Sequence, residues 1–171
     1  FIANISHDLR TPLTMIKAYA EMIRDLSGDN PEKREKHLQV IIDETDRLTQ
    51  REQLEDYFYQ ALEVELLLRL CPDDEDAIYQ IVDLLVDTCS TKRKMLRIAG
   101  DDKPVEVVRS RLKKLNADHI RFVLGCLAEN TSPVRNMKQY LLAALFNAPT
   151  TMNLYYQNKT NHDFARGSPG R

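Results

Sequence analysis

Tryptophan is absent from this chain, and glycine occurs only five times in 171 residues. So few glycines argue against a sheet full of tight turns and favour helices. Aromatic side chains are sparse, at 7%, and none interleave with basic residues as a base-stacking surface requires. The three cysteines, Cys71, Cys89 and Cys126, are an odd number without metal-ligand spacing. Reduced thiols in a cytoplasmic protein are the expectation. No apolar run approaches the ~20 residues that span a bilayer, and no signal peptide is visible. The chain opens without an initiator methionine, in the middle of a motif, and reads as a segment whose upstream part lies elsewhere.

The net charge of −2 hides a split. Residues 1–90 carry nine Lys/Arg and 20 Asp/Glu, whereas residues 91–171 carry 15 and six. A basic half of this size suits either nucleic acid or the acidic half of the same chain.

The most informative stretch is Phe1-Ile2-Ala3-Asn4-Ile5-Ser6-His7-Asp8-Leu9-Arg10-Thr11-Pro12-Leu13. Ile2, Leu9, Ile16 and Ile23, with Ile5, Pro12, Tyr19 and Leu26 between them, follow a seven-residue repeat. His7 then falls furthest from the apolar seam, and Thr11, four residues on, shares its face. A surface histidine with no task is the plain reading. Against it stands Pro12, which removes the helical donor for the Asp8 carbonyl and costs roughly 3 kcal/mol inside a helix. The helix is thus loosened one turn after an exposed His–Asp pair.

These thirteen residues resemble the H-box of sensor histidine kinases, F-x-x-x-x-S-H-D/E-L-R-T-P-L, over nearly its full length. The resemblance implies that His7 is the phospho-acceptor, that Asp8 orients it or takes its proton, and that Thr11 helps place a water in dephosphorylation. A neutral imidazole nitrogen is a competent nucleophile near pH 7. The resemblance covers residues 1–49, as a dimerisation and phosphotransfer hairpin. Helix one should reach about Leu26, Ser27 to Pro31 should turn, and helix two should begin near Glu32 with Leu38, Ile41, Ile42, Thr45 and Leu48 inward. One such hairpin cannot bury both stripes alone. Two copies in a four-helix bundle can, and the resemblance implies that homodimer. After Thr49 it stops. No Asp-x-Gly-x-Gly occurs, and the glycines at 28, 100, 125, 167 and 170 are too scattered to cradle a nucleotide. ATP and Mg²⁺ would therefore come with a separate ATP-binding domain, and a response regulator would receive the phosphoryl group. No cofactor is expected on this chain itself.

The remainder is expected to be helical, giving an all-α fold: a helical hairpin followed by a small compact domain over residues 50–164 and a disordered tail over 165–171. Helix two is expected to run on through Gln50 toward Leu70. Cys71-Pro72-Asp73-Asp74 should break it, and a helix should span Glu75 to Cys89. Ser90 to Lys103 reads as a basic connector with one short strand, Met95 to Ile98, and a turn at Gly100-Asp101-Asp102. Pro104 should open the next helix, and Asn116 or Asp118 should cap the one after it. Thr131-Ser132-Pro133 should start another, and Pro149 should restart a last one.

Leu96-Arg97-Ile98-Ala99-Gly100, Val107-Val108-Arg109-Ser110-Arg111, His119 to Leu124, Arg135 to Pro149 and Tyr155-Tyr156 look like the C-terminal module of replication initiator A proteins. That resemblance covers about residues 50–165 and implies an interaction module for DNA or replication proteins. Two basic clusters, Lys92, Arg93, Lys94 and Arg97, then Arg109, Arg111, Lys113 and Lys114, are candidate phosphate contacts. A solvated face balancing the acidic half is the plainer reading. His37, His119 and His162 lack partners at ligand spacing, so no metal is expected. Tyr155 and Tyr156, with Phe146 and Met152, are read as core.

Overall fold

A computed structural model describes the backbone of residues 2–27 and 29–166 and the side chains of residues 10–27 and 29–157. The described chain is α1 (Ile2–Asp25), α2 (Pro31–Ala61), α3 (Val64–Leu70), a 3₁₀ turn (Pro72–Asp74), α4 (Glu75–Ser90), β1 (Met95–Ile98), β2 (Asp101–Pro104), α5 (Val105–Leu112), α6 (Ala117–Glu129) and α7 (Met137–Arg166). The architecture is all-α with one small hairpin. It divides into two compact units, Phe1–Asp56 and Tyr57–Arg171.

In the first unit, α1 stays helical through Pro12. The amides of Leu26 and Ser27 both donate to the Met22 carbonyl at 3.0 Å and close the helix. The Asn30 side chain then accepts the Lys33 amide at 3.0 Å, with Pro31 at the first helical position of α2. Ser27 is buried, its Oγ 3.0 Å from Nδ1 of His37, and the Tyr19 ring meets His37 edge-on at 5.4 Å. This polar knot fixes where the two helices meet at the turn.

The apolar stripes differ from the sequence expectation. Pro12 is buried and Ile16, Tyr19 and Ile23 are half-buried, but Leu26 lies past the helix end and is 79% exposed. On α2, Ile41 and Leu48 are half-buried, whereas Leu38, Ile42 and Thr45 are exposed. The covered line runs His37, Ile41, Glu44, Leu48, at alternating spacings of four and three. Residues 38, 42 and 45 form a second such line about 100° around the helix. One hairpin covers the first line and leaves the second bare.

The second unit has its own core, centred on Phe58, Leu62, Leu67, Ile78, Ile81, Leu85, Leu112, Ile120 and Leu145. The rod expected to reach Leu70 breaks at Glu63, which takes a left-handed conformation (φ 51°, ψ 51°). Buried Leu62 and Val64 on either side explain the break, because tertiary burial outweighs continued helix. In α4, Ile78, Ile81, Val82, Leu85 and Val86 all point inward, as their periodicity requires.

Of the turn expected at residues 100–102, Gly100 is in the turn, but Asp101 and Asp102 begin a second strand. β1 and β2 pair antiparallel, Met95 opposite Pro104 and Ile98 opposite Asp101, around a two-residue Ala99–Gly100 turn with φ of 53° and 92°. Positive φ at both positions gives the twist that a tight hairpin needs. α6 begins at a capping box: the Asn116 side chain accepts the His119 amide, and Nδ1 of His119 accepts the Asn116 amide.

The last helix also differs. Residues 131–136 are irregular, and α7 starts at Met137, where the Asn136 side chain accepts the Gln139 amide at 3.0 Å. Pro149 does not restart it. α7 runs straight through, anchored by buried Leu145, Phe146 and Ala148. The hydroxyls of Thr150 and Thr151 both donate to the Asn147 carbonyl beside the proline. Phe146 is core as expected, but Tyr156 is half exposed, with Tyr155 edge-on between it and Phe122. α7 reaches Arg166, and residues 167–171 lie outside the described residues.

Candidate functional site

Residues 7, 8 and 11 sit on one continuous helix, α1. The side chains of His7 and Asp8 lie outside the described residues; their backbone is helical. Thr11 is described and exposed, as are its neighbours Arg10 and Leu13, while Pro12 between them is buried. The proline therefore sits on the covered side of α1, and the helical turn carrying Thr11 faces water. Pro12 brings no N–H to the Asp8 carbonyl. Two residues on, the Thr14 hydroxyl donates to the Arg10 carbonyl at 2.7 Å, a side-chain bond of the kind that bends helices.

The basic clusters do not form one surface. Lys92, Arg93 and Lys94 are exposed on the loop before β1, which is tied to α5 by the Val105 amide donating to the Lys94 carbonyl at 3.0 Å. Arg97 is exposed on β1, in register with Asp102 of β2. Arg109 donates to Glu106 at 2.6 Å and to the Thr91 carbonyl, a structural role. The Lys113 ammonium lies 5.6 Å from the centre of the Tyr57 ring. Both Arg109 and Lys113 act on the buried Cys89 thiol, pulling its pKa down against the larger upward push of burial. The result is a thiol raised to about 11.

Arg111 lies on the opposite flank of α5, and Lys114 follows in the turn just past its end. The Arg111 guanidinium stacks 4.5 Å from the centre of the Phe146 ring and donates to the Thr150 hydroxyl at 3.0 Å. With Ser110, Lys114, Glu106, Val107, Pro149 and Thr150 it lines an open groove of about 610 Å³ between α5 and α7. Ser110 could have been read from the sequence, directly before Arg111 and close to Lys114. Thr150 could not, because only the tertiary fold brings α7 there.

Two other groups are shifted by their surroundings. The His119 pKa is lowered by burial, against a smaller upward pull from Asp118. The Cys126 thiol is raised by burial and by Glu129. Among the described residues, no group of three or more His, Cys, Asp or Glu is placed to hold a metal ion. Among the same residues, no helix is long and apolar enough to cross a membrane.

Residues 1–56 match the model of the His Kinase A (phospho-acceptor) domain, ending where the first compact unit ends. Sensor protein SrrB of Staphylococcus aureus strain N315 is 44% identical over 48 residues, and that of strain NCTC 8325 is 42% identical over the same length. Those 48 residues are 28% of this chain, and the chain spans only 8% of the length of these relatives. No solved structure matches. A second family model matches residues 29–167 and so overlaps the first along α2. It has no assigned activity. Since this second match covers most of the sequence, the chain belongs to the family of unknown function DUF6017.

Proposed function

We propose that the first unit is the phospho-acceptor module of a two-component phosphorelay. The observation that carries this reading is the full H-box in the sequence, Phe1 to Leu13, whose residues from Ile2 onward lie on a helix with Thr11 exposed and Pro12 turned inward. A ring nitrogen of His7 attacks the γ-phosphorus of ATP held by a separate kinase domain, so that an N–P bond forms as the P–O bond to the departing ADP breaks. That bond then breaks as a response-regulator aspartate takes the group. Asp8 handles the imidazole proton, and Thr11 positions water when the group is removed by hydrolysis. The chain's own residues do not fit a nucleotide: five scattered glycines offer no phosphate cradle. ATP and Mg²⁺ thus belong to a separate kinase ATP-binding domain.

The module works as a homodimer in this reading. The bare line on α2, with Leu38 38% and Ile42 50% exposed, and Leu13 and Met22 exposed on α1, suit a second hairpin packing as a four-helix bundle. Ile42→Glu is expected to convert dimer to monomer in sedimentation analysis.

The test of phosphotransfer is direct. The chain is incubated with a kinase ATP-binding domain and labelled ATP. An acid-labile, base-stable phosphate that His7→Gln abolishes is the expected result. No label, with an authentic hairpin labelled alongside, would overturn the reading.

A further inference from the structure

We propose that the groove between α5 and the Pro149 segment of α7 binds a backbone phosphate of a nucleic-acid strand. The site lies wholly within the second unit and is independent of His7. Its centre is Arg111, whose guanidinium lies over the Phe146 ring and is tied by one nitrogen to Thr150. A guanidinium has five N–H donors, so most of them are left for a ligand, and stacking has already cost it its side-chain freedom. Lys114 adds a second, exposed cation to the same groove, and Ser110 adds an exposed hydroxyl. The groove's one carboxylate, Glu106, is already paired with Arg109 at 2.6 Å.

The groove therefore presents two positive charges and a hydroxyl donor with its acid neutralised, which suits an anion of several acceptor oxygens. Its openness and the exposed Lys114 suit an extended polyanion passing across it more than an enclosed small molecule. Thr150 donates its own proton to the Asn147 carbonyl, so its task is to hold Arg111. Backbone phosphate contacts of this kind give affinity without reading sequence.

The test uses the whole chain and a short fluorescein-labelled DNA duplex, followed by fluorescence anisotropy while salt rises from about 50 to about 200 mM. Ser110 and Lys114 are both exposed, so Ser110→Glu with Lys114→Glu should leave the thermal melt unchanged. The double variant is expected to bind roughly tenfold more weakly, with the salt slope lower by about one. A reversed loop, Lys92→Glu with Arg93→Glu and Lys94→Glu, serves as the comparison. Loss confined to the loop variant would overturn the assignment, and so would no binding by the unaltered chain. Inorganic phosphate or polyglutamate displacing the duplex at equal charge concentration would also overturn it, by showing a site for small phosphates or acidic peptides.

Discussion

The Tyr57 hydroxyl donates to the main-chain carbonyl of Lys113 at 2.7 Å, and the Lys113 ammonium folds back to 5.6 Å from the Tyr57 ring. The last carbonyls of a helix have no partner within it. Tyr57 supplies one for the end of α5 from 56 residues away in sequence. Tyr57→Phe keeps the ring and removes only this bond. The expected loss is about 1 kcal/mol, read as a lower urea midpoint with an unchanged slope. An unchanged midpoint would mean that water replaces the phenol at no cost.

Two non-glycine residues, Glu63 and Ala99, hold left-handed backbone, with φ of 51° and 53°. Each costs roughly 1 kcal/mol that glycine or asparagine would largely avoid. Ala99→Asn creates an Asn-Gly pair in the hairpin turn, the sequence that this geometry favours. Both Ala99→Asn and Glu63→Gly are therefore expected to raise the melting temperature. Glu63→Gly should gain less, because glycine also loosens the unfolded chain.

His119 is held neutral. Its Nδ1 accepts the Asn116 amide at 3.2 Å, and burial lowers its pKa below the usual histidine value. The unfolded chain therefore binds a proton before the folded one does. This contribution to stability is complete above about pH 6.5 and is lost as pH falls through the window beneath it. His119→Gln can accept the same bond without titrating. A variant whose melting temperature falls as steeply between about pH 7 and pH 5 as the parent's would place the acid sensitivity elsewhere.

Cys89 is the least reactive of the three thiols. It is 2% exposed with a pKa raised to about 11, while Cys71 and Cys126 are partly exposed. Alkylation near neutral pH should label Cys71 and Cys126 and reach Cys89 only on unfolding. The unfolded thiol ionises first, so this residue's share of stability falls as pH rises from the ordinary thiol range toward about 11. Mass spectrometry of the labelled chain decides it.

Helices α4 and α6 were legible because apolar period and boundary chemistry agree, as with Asn116 before α6 and Cys71-Pro72 ahead of α4. Where they conflicted, packing won. Pro149 reads as a break, yet Leu145, Phe146 and Ala148 are buried around it and the helix continues. Asp101-Asp102-Lys103 has no strand propensity, and pairing with β1 alone makes it a strand. The basic residues were legible as charge but not as a surface. Arg109 and Arg111 lie about 200° apart around α5, which periodicity alone gives. Which one would be consumed by Glu106 and Thr91, and which would lie on Phe146, depended on chain segments far away in sequence.

The small hairpin also bears on how the protein behaves at high concentration. Among the described residues its sheet has two strands, so the far side of β2 has no strand beside it. That rim carries Asp101, Asp102 and Lys103 and ends in Pro104, a run in which fixed charge and a missing N–H both discourage another molecule from adding on. Fibrillar self-templating should not begin at this rim. Replacing Asp102 and Lys103 with valine would remove the deterrent.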